Sequence, residues 1–353
     1  MNILNLMELI DALPAEIKTI FSRIFEISTK RGKFILPETM REWAEERMGK
    51  CEEQMIVRVT NKVTFEGTLF NDLRSRRPID VKVGEELEKI IEDTKGGPFC
   101  NPDTMTPSDV FGRVRGKHCV TASNIAKYDY LHAVLIFKDH NPFIDDEGKI
   151  ADYLDTAMKW IVKANEYDNK AIYPFFMWNC LWRAAASIVH GHAQILVADM
   201  PYSRAEFIRN ASEAYFNRYG GYYFEDLFDV HKSLGLAMGW NGVKLMCNLT
   251  PVKEKEVVII SGELEKLPYW ISRTLNCYYR LGVRSFTLAM FMPPIRDVDG
   301  WEEFPYIVRI VDRGDPMSRT TDIGAMELYA GHSVVSSDPF KIMEELRSEF
   351  ENQ

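Results

Sequence analysis

The spacing of apolar residues changes along the chain, and each change predicts an element. Leu4, Met7, Ile10 and Leu13 recur at helical intervals, and a charged segment, PETMREWAEERMGK, runs up to Cys51, so residues 1–53 read as an N-terminal helical extension. From Gln54 the period shortens to that of strands in QMIVRVT and KVTFEGTLF. KHCVTASNI and HAVLIFKDH then read as two strands, IADYLDTAMKWIVKANEYD as a helix with one apolar stripe (Ile150, Tyr153, Leu154, Ala157, Met158, Ile161), and IYPFFMWN and HGHAQILVA as two more strands. Residues 54–200 therefore predict one half, an antiparallel sheet with a packed helix. Residues 201–353 repeat the order after linker helices: strands in LGLAMGWNGVKLMCNL and EVVIIS, a helix in ELEKLPYWISRTLNCYYRLG, strands in RSFTLAMFM and PYIVRIV, and a closing helix, DPFKIMEELRSEFEN. The expected fold class is α+β with two such halves.

Composition narrows the partners. The 353 residues are 46% hydrophobic and 27% charged, ordinary for a globular chain, and 43 Lys+Arg against 52 Asp+Glu leave a net charge of −9. That balance offers no general field for nucleic acid or anionic lipid, so an anionic ligand must be met by a local basic cluster. No run of about 18 apolar residues is free of charge, which predicts no membrane-spanning helix. The first residues lack the pattern of a secretory signal, and six cysteines are scattered rather than clustered, so a reducing, cytoplasmic setting is expected.

The segment HGHAQILVA carries the most chemistry. On a strand, His190, His192 and Gln194 share one face, whereas Gly191, Ala193 and Ile195 take the other, where their small size predicts a close neighbour. Upstream, NCLWRAAASIV adds Asn179 and Ser187. His132 is expected to satisfy a backbone group, and His231 and His332 to lie at the surface or in loops.

The run from Asn179 to Gln194 resembles the active-site segment of the galactose-1-phosphate uridylyltransferases, the GalT-like branch of the histidine-triad (HIT) superfamily. That family's pattern is Asn, a small-residue stretch, Ser, then His-Pro-His-x-Gln. Asn179, Ser187, His190, His192 and Gln194 fall in register, with Gly191 at the usual Pro and Ala184–Ala186 where a Gly is usual. GPFCNPDTMTPSDVF is similar to the family's Cys-Pro-Phe-Cys segment, with Gly97 at the first cysteine and Cys100 at the second. LRSRRP resembles its His-Arg-Ala-Lys-Arg-Pro and sets Arg74 and Arg77 on the two arginines. SNIAKYDYLHAVLIFKDH resembles the nucleoside-binding strand and loop, with Asn124 and His140, and IGAMELYAG resembles the hexose-contacting segment, with Glu327 as the nearest acid.

The resemblance implies two fused HIT-like halves and a double displacement. His192 would take a nucleotidyl group from a nucleoside diphosphate sugar and pass it to a sugar 1-phosphate, with uridylyl the first expectation. Gln194 and Ser187 would bind the phosphate oxygens; Arg74, Arg77, Asn124, Asn179 and Glu327 would bind substrate. A structural zinc on Cys100, His140 and His190 is implied, with Asp103 considered as a further ligand, and so is a homodimer. The late strand FPYIVRIV has no His-x-His, so the second metal site of some members is expected to be absent. Two alternatives stay open: a phosphorylase that uses inorganic phosphate on ADP- or GDP-linked substrates or dinucleoside polyphosphates, and a nucleotide-binding relative without transfer activity.

Overall fold

The computed structural model describes residues 1–71, Leu73 and residues 85–351. Arg74 and Arg77 lie outside the described residues.

The N-terminal part is not wholly helical. Helices α1 (Leu6–Asp11) and α2 (Ala15–Ile24) lead directly into strand β1 (Phe25–Lys33), followed by α3 (Glu38–Met48), β2 (Glu53–Asn61) and β3 (Gly67–Phe70). The expected helical extension is therefore corrected: Phe25, Ile27 and Thr29 alternate with Glu26, Ser28 and Lys30, and β1 pairs antiparallel with β2 along its whole length, from Phe25 opposite Asn61 to Lys33 opposite Glu53. A boundary at residue 53 would cut through this sheet. It is a separate four-stranded sheet of order β1-β2-β3-β13, completed by β13 (His332–Val335), which runs parallel to β3.

After α4 (Glu85–Asp93) and the short α5 (Pro102–Met105), the main sheet begins with β4 (Cys119–Ser123) and β5 (Leu131–Phe137). Helix α6 (Glu147–Tyr167) follows, N-capped by the Asp146 side chain, which accepts from the Lys149 N–H at 2.8 Å. Of its expected apolar stripe Ile150, Tyr153, Leu154, Ala157 and Ile161 are buried and Met158 is half-buried, while Trp160, outside that stripe, is buried as well. Then come β6 (Tyr173–Asn179) and β7 (His192–Ala198), and helices α7 (Ser203–Tyr219) and α8 (Tyr223–Ser233) bridge to β8 (Ala237–Trp240), β9 (Val243–Cys247) and β10 (Glu254–Ser261). Helix α9 (Leu267–Arg280), β11 (Phe286–Phe291), β12 (Tyr306–Asp312), the short α10 (Ala325–Leu328), β13 and α11 (Pro339–Glu351) complete the chain.

The large sheet has nine strands in the order β4-β5-β7-β6-β11-β12-β10-β9-β8, and each neighbouring pair is antiparallel. The first four strands and β9 to β12 have the same internal order, and they meet where β6 pairs with β11, Met177 opposite Ala289. Helices α6 and α9 pack on one another across this junction. Because antiparallel partners share a face, Gln194, Met177, Ala289 and Arg309 lie in one row across both parts of the sheet. His231 is corrected from surface to core: it is fully buried in α8, where its Nδ1–H donates to the Leu227 carbonyl at 2.8 Å and Nε2 accepts from the Leu249 N–H at 3.1 Å. His332 is likewise no loop residue; it begins β13 and its ring lies over Gly67, where any Cβ would collide with it.

Candidate active site

The site gathers at the start of β7. Phe137 donates its N–H to the Gly191 carbonyl at 3.0 Å, and Gly191 donates to the His140 carbonyl at 3.2 Å, which fixes the approach to His192. A side chain at Gly191 would put its Cβ 2.8 Å from the Phe137 ring and 3.2 Å from the Asn141 carbonyl, so the predicted close neighbour is this loop. Proline there would also remove the N–H that His140 accepts. The preceding loop holds Leu181 and Ala185 at φ of 66° and 69°, left-handed values that cost a residue with a Cβ about 1–2 kcal/mol.

His192 is 7% exposed, and its Nδ1–H donates to the His190 carbonyl at 2.8 Å. The proton is thereby placed on Nδ1, so the lone pair of neutral imidazole is on Nε2, which has no partner among the described residues. Burial pushes the pKa of His192 below the ordinary imidazole value and keeps the ring neutral. Phe99 meets the ring edge-on at a centroid distance of 5.2 Å. Beside it, Val120, Ala122, Val134 and Ile136 form a small apolar cluster, separate from the main core, with Phe99 packed against it.

Gln194 follows on the same face of β7, and its Oε1 lies 2.8 Å from His132 Nε2 and 3.5 Å from Asn124 Nδ2. Met177 opposite Gln194 sets the register, which, carried two residues along, brings Asn179 level with His192. Thr287, directly opposite Asn179 on β11, donates its hydroxyl to Asn179 Oδ1 at 3.1 Å and accepts from Arg313 Nη1 at 3.1 Å. Arg313 is held in turn by both oxygens of Asp322, at 2.5 and 3.0 Å.

Of the residues singled out in the sequence, His192, Gln194, Asn124 and Asn179 are thus brought together. Ser187 is exposed on the loop before them and has no partner among the described residues. Glu327 stands apart: Oε2 accepts from the Gly324 N–H at 2.9 Å and Oε1 lies 3.6 Å from Lys253, whose ammonium also donates to the Asp322 carbonyl. Among the described residues it is linked to Asn179 through Lys253, Asp322, Arg313 and Thr287. The sequence reading missed three participants, His132 as a side-chain partner, Thr287 and Arg313. Only strand register could have found them.

Cys100, His140 and His190 form a second cluster beside the loop that leads into His192. The two Nδ1 atoms are 3.1 Å apart and lie 3.3 and 3.4 Å from Cys100 Sγ. Each Nε2–H donates to a backbone carbonyl, His140 to Ile91 and His190 to Phe137, both at 2.7 Å. With each Nε2–H so engaged, two Nδ1 atoms and a sulfur face one spot, an arrangement that suits a cation. Ligands of a tetrahedral zinc would stand about 3.3 Å apart for two nitrogens and about 3.5 Å for nitrogen and sulfur, so the donor set fits. Asp103 is not part of it, because its carboxylate pairs with Arg115 at 2.5 Å. Gly97, at the position of the missing cysteine, has φ −69°, open to any residue.

The fold is shared with solved structures of an ADP-glucose phosphorylase, a GalT-like protein and a uridylyltransferase. Among solved structures, an ADP-glucose phosphorylase from Arabidopsis thaliana aligns with a TM-score of 0.61 at 16% identity, over 81% of this chain and 96% of its own. A GalT-like protein from Arabidopsis thaliana aligns at 0.59 and 16% identity, over 72% and 92%, and a uridylyltransferase at 0.57 and 15%, over 84% and 98%. No family model and no curated protein matches the chain by sequence. Among the described residues, no helix is long and apolar enough to cross a membrane.

Proposed function

We propose that the chain is a nucleotidyltransferase working through a nucleotidyl-histidine at His192, on a nucleoside diphosphate sugar. The observation that carries this reading is the free Nε2 of His192, with Nδ1–H fixed on the His190 carbonyl and the Gln194 amide beside it on the same face. Nε2 attacks the α-phosphorus, a P–N bond forms, and the P–O bond to the sugar 1-phosphate breaks. The leaving group departs as an anion and needs no proton. A phosphate oxygen of the acceptor then attacks phosphorus, and the P–N bond breaks to restore neutral His192. Gln194 donates to the non-bridging oxygens as charge builds on them, while the apolar cluster of Val120, Ala122, Val134 and Ile136 with Phe99 takes the nucleoside. Asn124 and Asn179 flank this pocket, Ser187 reaches the phosphate from its loop, and Arg74 and Arg77 supply positive charge.

Zinc is the cation we assign to Cys100, His140 and His190, where its role is to tie three segments together. His190 then acts twice, with its ring as a ligand and its carbonyl as the acceptor that sets the tautomer of His192. The equal strand orders about the β6–β11 junction support two fused HIT-like halves, the first carrying the nucleophile.

A sugar 1-phosphate is the first acceptor assigned. One observation favours inorganic phosphate as a second reading: the Glu327 carboxylate is occupied by the Gly324 N–H and Lys253 rather than offered to a hexose. The test is incubation with α-labelled UDP- and ADP-glucose and an alkaline quench. Label on His192 supports the reading, and no covalent label with any nucleotide sugar overturns it. Discharge of the label by galactose 1-phosphate or by inorganic phosphate selects the acceptor.

A further inference from the structure

An amide has chemically opposite ends, and the end of Gln194 that faces a phosphoryl group decides whether it attracts or repels the anion. His132 makes that choice. The Tyr128 backbone N–H lies 3.0 Å from His132 Nδ1, and since a backbone N–H can only donate, Nδ1 must carry a lone pair. The proton of the neutral ring is then on Nε2, which donates to Gln194 Oε1 at 2.8 Å. With that proton in place the Asn124 amide cannot also donate to Nε2, which leaves its Nδ2 directed at the same Gln194 oxygen, 3.5 Å away. Turning the Gln194 amide over would set its NH2 against the His132 Nε2–H and the Asn124 amide, donors against donors, around a fully buried ring. Oε1 is therefore held back. The two N–H bonds of Gln194 have no partner among the described residues and remain available on the face shared with His192.

We infer that His132 is a positioning residue, whose Nε2–H tautomer, set by the Tyr128 backbone, keeps the amide donors of Gln194 turned to the transferring phosphoryl group. The inference rests on His192 as nucleophile. The loop that delivers the Tyr128 N–H also holds the ring, with the Tyr128 side chain 4.6 Å from it and Lys127 donating to the His132 carbonyl at 2.9 Å. His132 itself meets only protein, so its loss falls on the rate of transfer rather than on nucleotide affinity.

The experiment measures single-turnover formation of the nucleotidyl-histidine, alongside equilibrium binding of the nucleotide sugar. His132→Phe should slow formation about 10- to 100-fold with little change in binding, and His132→Gln, which keeps an N–H near the same place, should recover much of the loss. In a Gln194→Ala background His132→Phe should have almost no further effect. Equal slowing in both backgrounds, or Phe and Gln variants that behave alike, would overturn the inference. Nitrogen-15 NMR of the unaltered protein reads the tautomer without any variant: a proton on Nε2 of His132 is expected, and a proton on Nδ1 overturns it. If the Nε2–H tautomer is present but His192 takes no label, it is the nucleophile that fails and not the His132–Gln194 arrangement.

Discussion

The two parts of the nine-stranded sheet offer the same face to different neighbours. In the first, β5 and β7 display His132, Gln194 and His192, with His192 Nε2 and the Gln194 N–H bonds without partners among the described residues, and the apolar residues beside them form a cluster of their own against Phe99. In the second, the corresponding surface of β10 and β12 is roofed by the turn after β2 and by α8. Arg309 lies there between Glu66 at 2.5 Å and Glu256 at 2.7 Å, and Glu256 also accepts from the Asn248 amide and the Val252 N–H, both at 3.0 Å. Asn61 reaches across to the Tyr223 hydroxyl at 2.8 Å. On one half the polar groups pair mostly with each other, although Arg309 Nη2 is buried with no partner among the described residues; on the other, His192 Nε2 and the Gln194 N–H bonds have no partner among the described residues. Chemistry follows which face is roofed, not the sheet itself.

Substitutions can break this contrast. His192→Gly should lower nucleotidyl transfer at least about 1,000-fold, because the proposed reaction passes through its Nε2, with only a modest fall in melting temperature from the lost Nδ1–H bond to the His190 carbonyl and the lost Phe99 contact. Arg309→Leu should do the reverse, costing about 3–5 kcal/mol in denaturant unfolding by removing the cation between Glu66, which keeps only Arg204 as ion-pair partner, and Glu256, which keeps only the Asn248 amide and the Val252 N–H, with transfer per folded molecule within a few-fold of normal. If the two variants behaved alike, the division of roles would be wrong.

Acid should loosen the roof first. Burial holds His231 at a pKa of about 4, and the unfolded chain binds its proton near 6.5, so between these values the unfolded state holds more protons. The stability it confers is complete above about pH 6.5 and is lost as pH falls towards 4, by on the order of 2–3 kcal/mol. Protonated Nε2 would face the Leu249 N–H. Urea unfolding at pH 7 and 4.5 checks this, and His231→Gln should flatten the slope.

On the other half, chelation should lower the melting temperature by a few degrees and expose the 97–105 and 190–192 segments to hydrogen exchange. Less than a tenth of an equivalent of zinc in protein purified without added metal would sink the assignment. The smallest expected effect is at Ala185, where Ala185→Gly should stabilise by about 1 kcal/mol by relieving its left-handed backbone.

Much of the half that carries His192 was legible because its signals are local. Alternation in HGHAQ places His190, His192 and Gln194 on one side, and the stripe of α6 needs no tertiary information. The FEISTKRGK strand was missed because its apolar residues are few and only pairing with β2 stabilises it. The partnership of His132 with Gln194 depends on register between β5 and β7, and the Glu66–Arg309–Glu256 group joins three segments distant in sequence, with no motif to announce it. His231 was misjudged because a histidine on a helix shows its burial only when the neighbours are known.

The parallel pairing of β13 with β3 sets a timetable for synthesis. Residues 25–70 leave the ribosome early, yet β3 gains its second neighbour only when His332 to Val335 have been made. Until then its far edge is unpaired and open to association with other nascent chains. Thr68 must also wait for its acceptor at Pro251, and Glu66 for Arg309. The strands of residues 25–70 therefore close only after the later segments that complete them have been made.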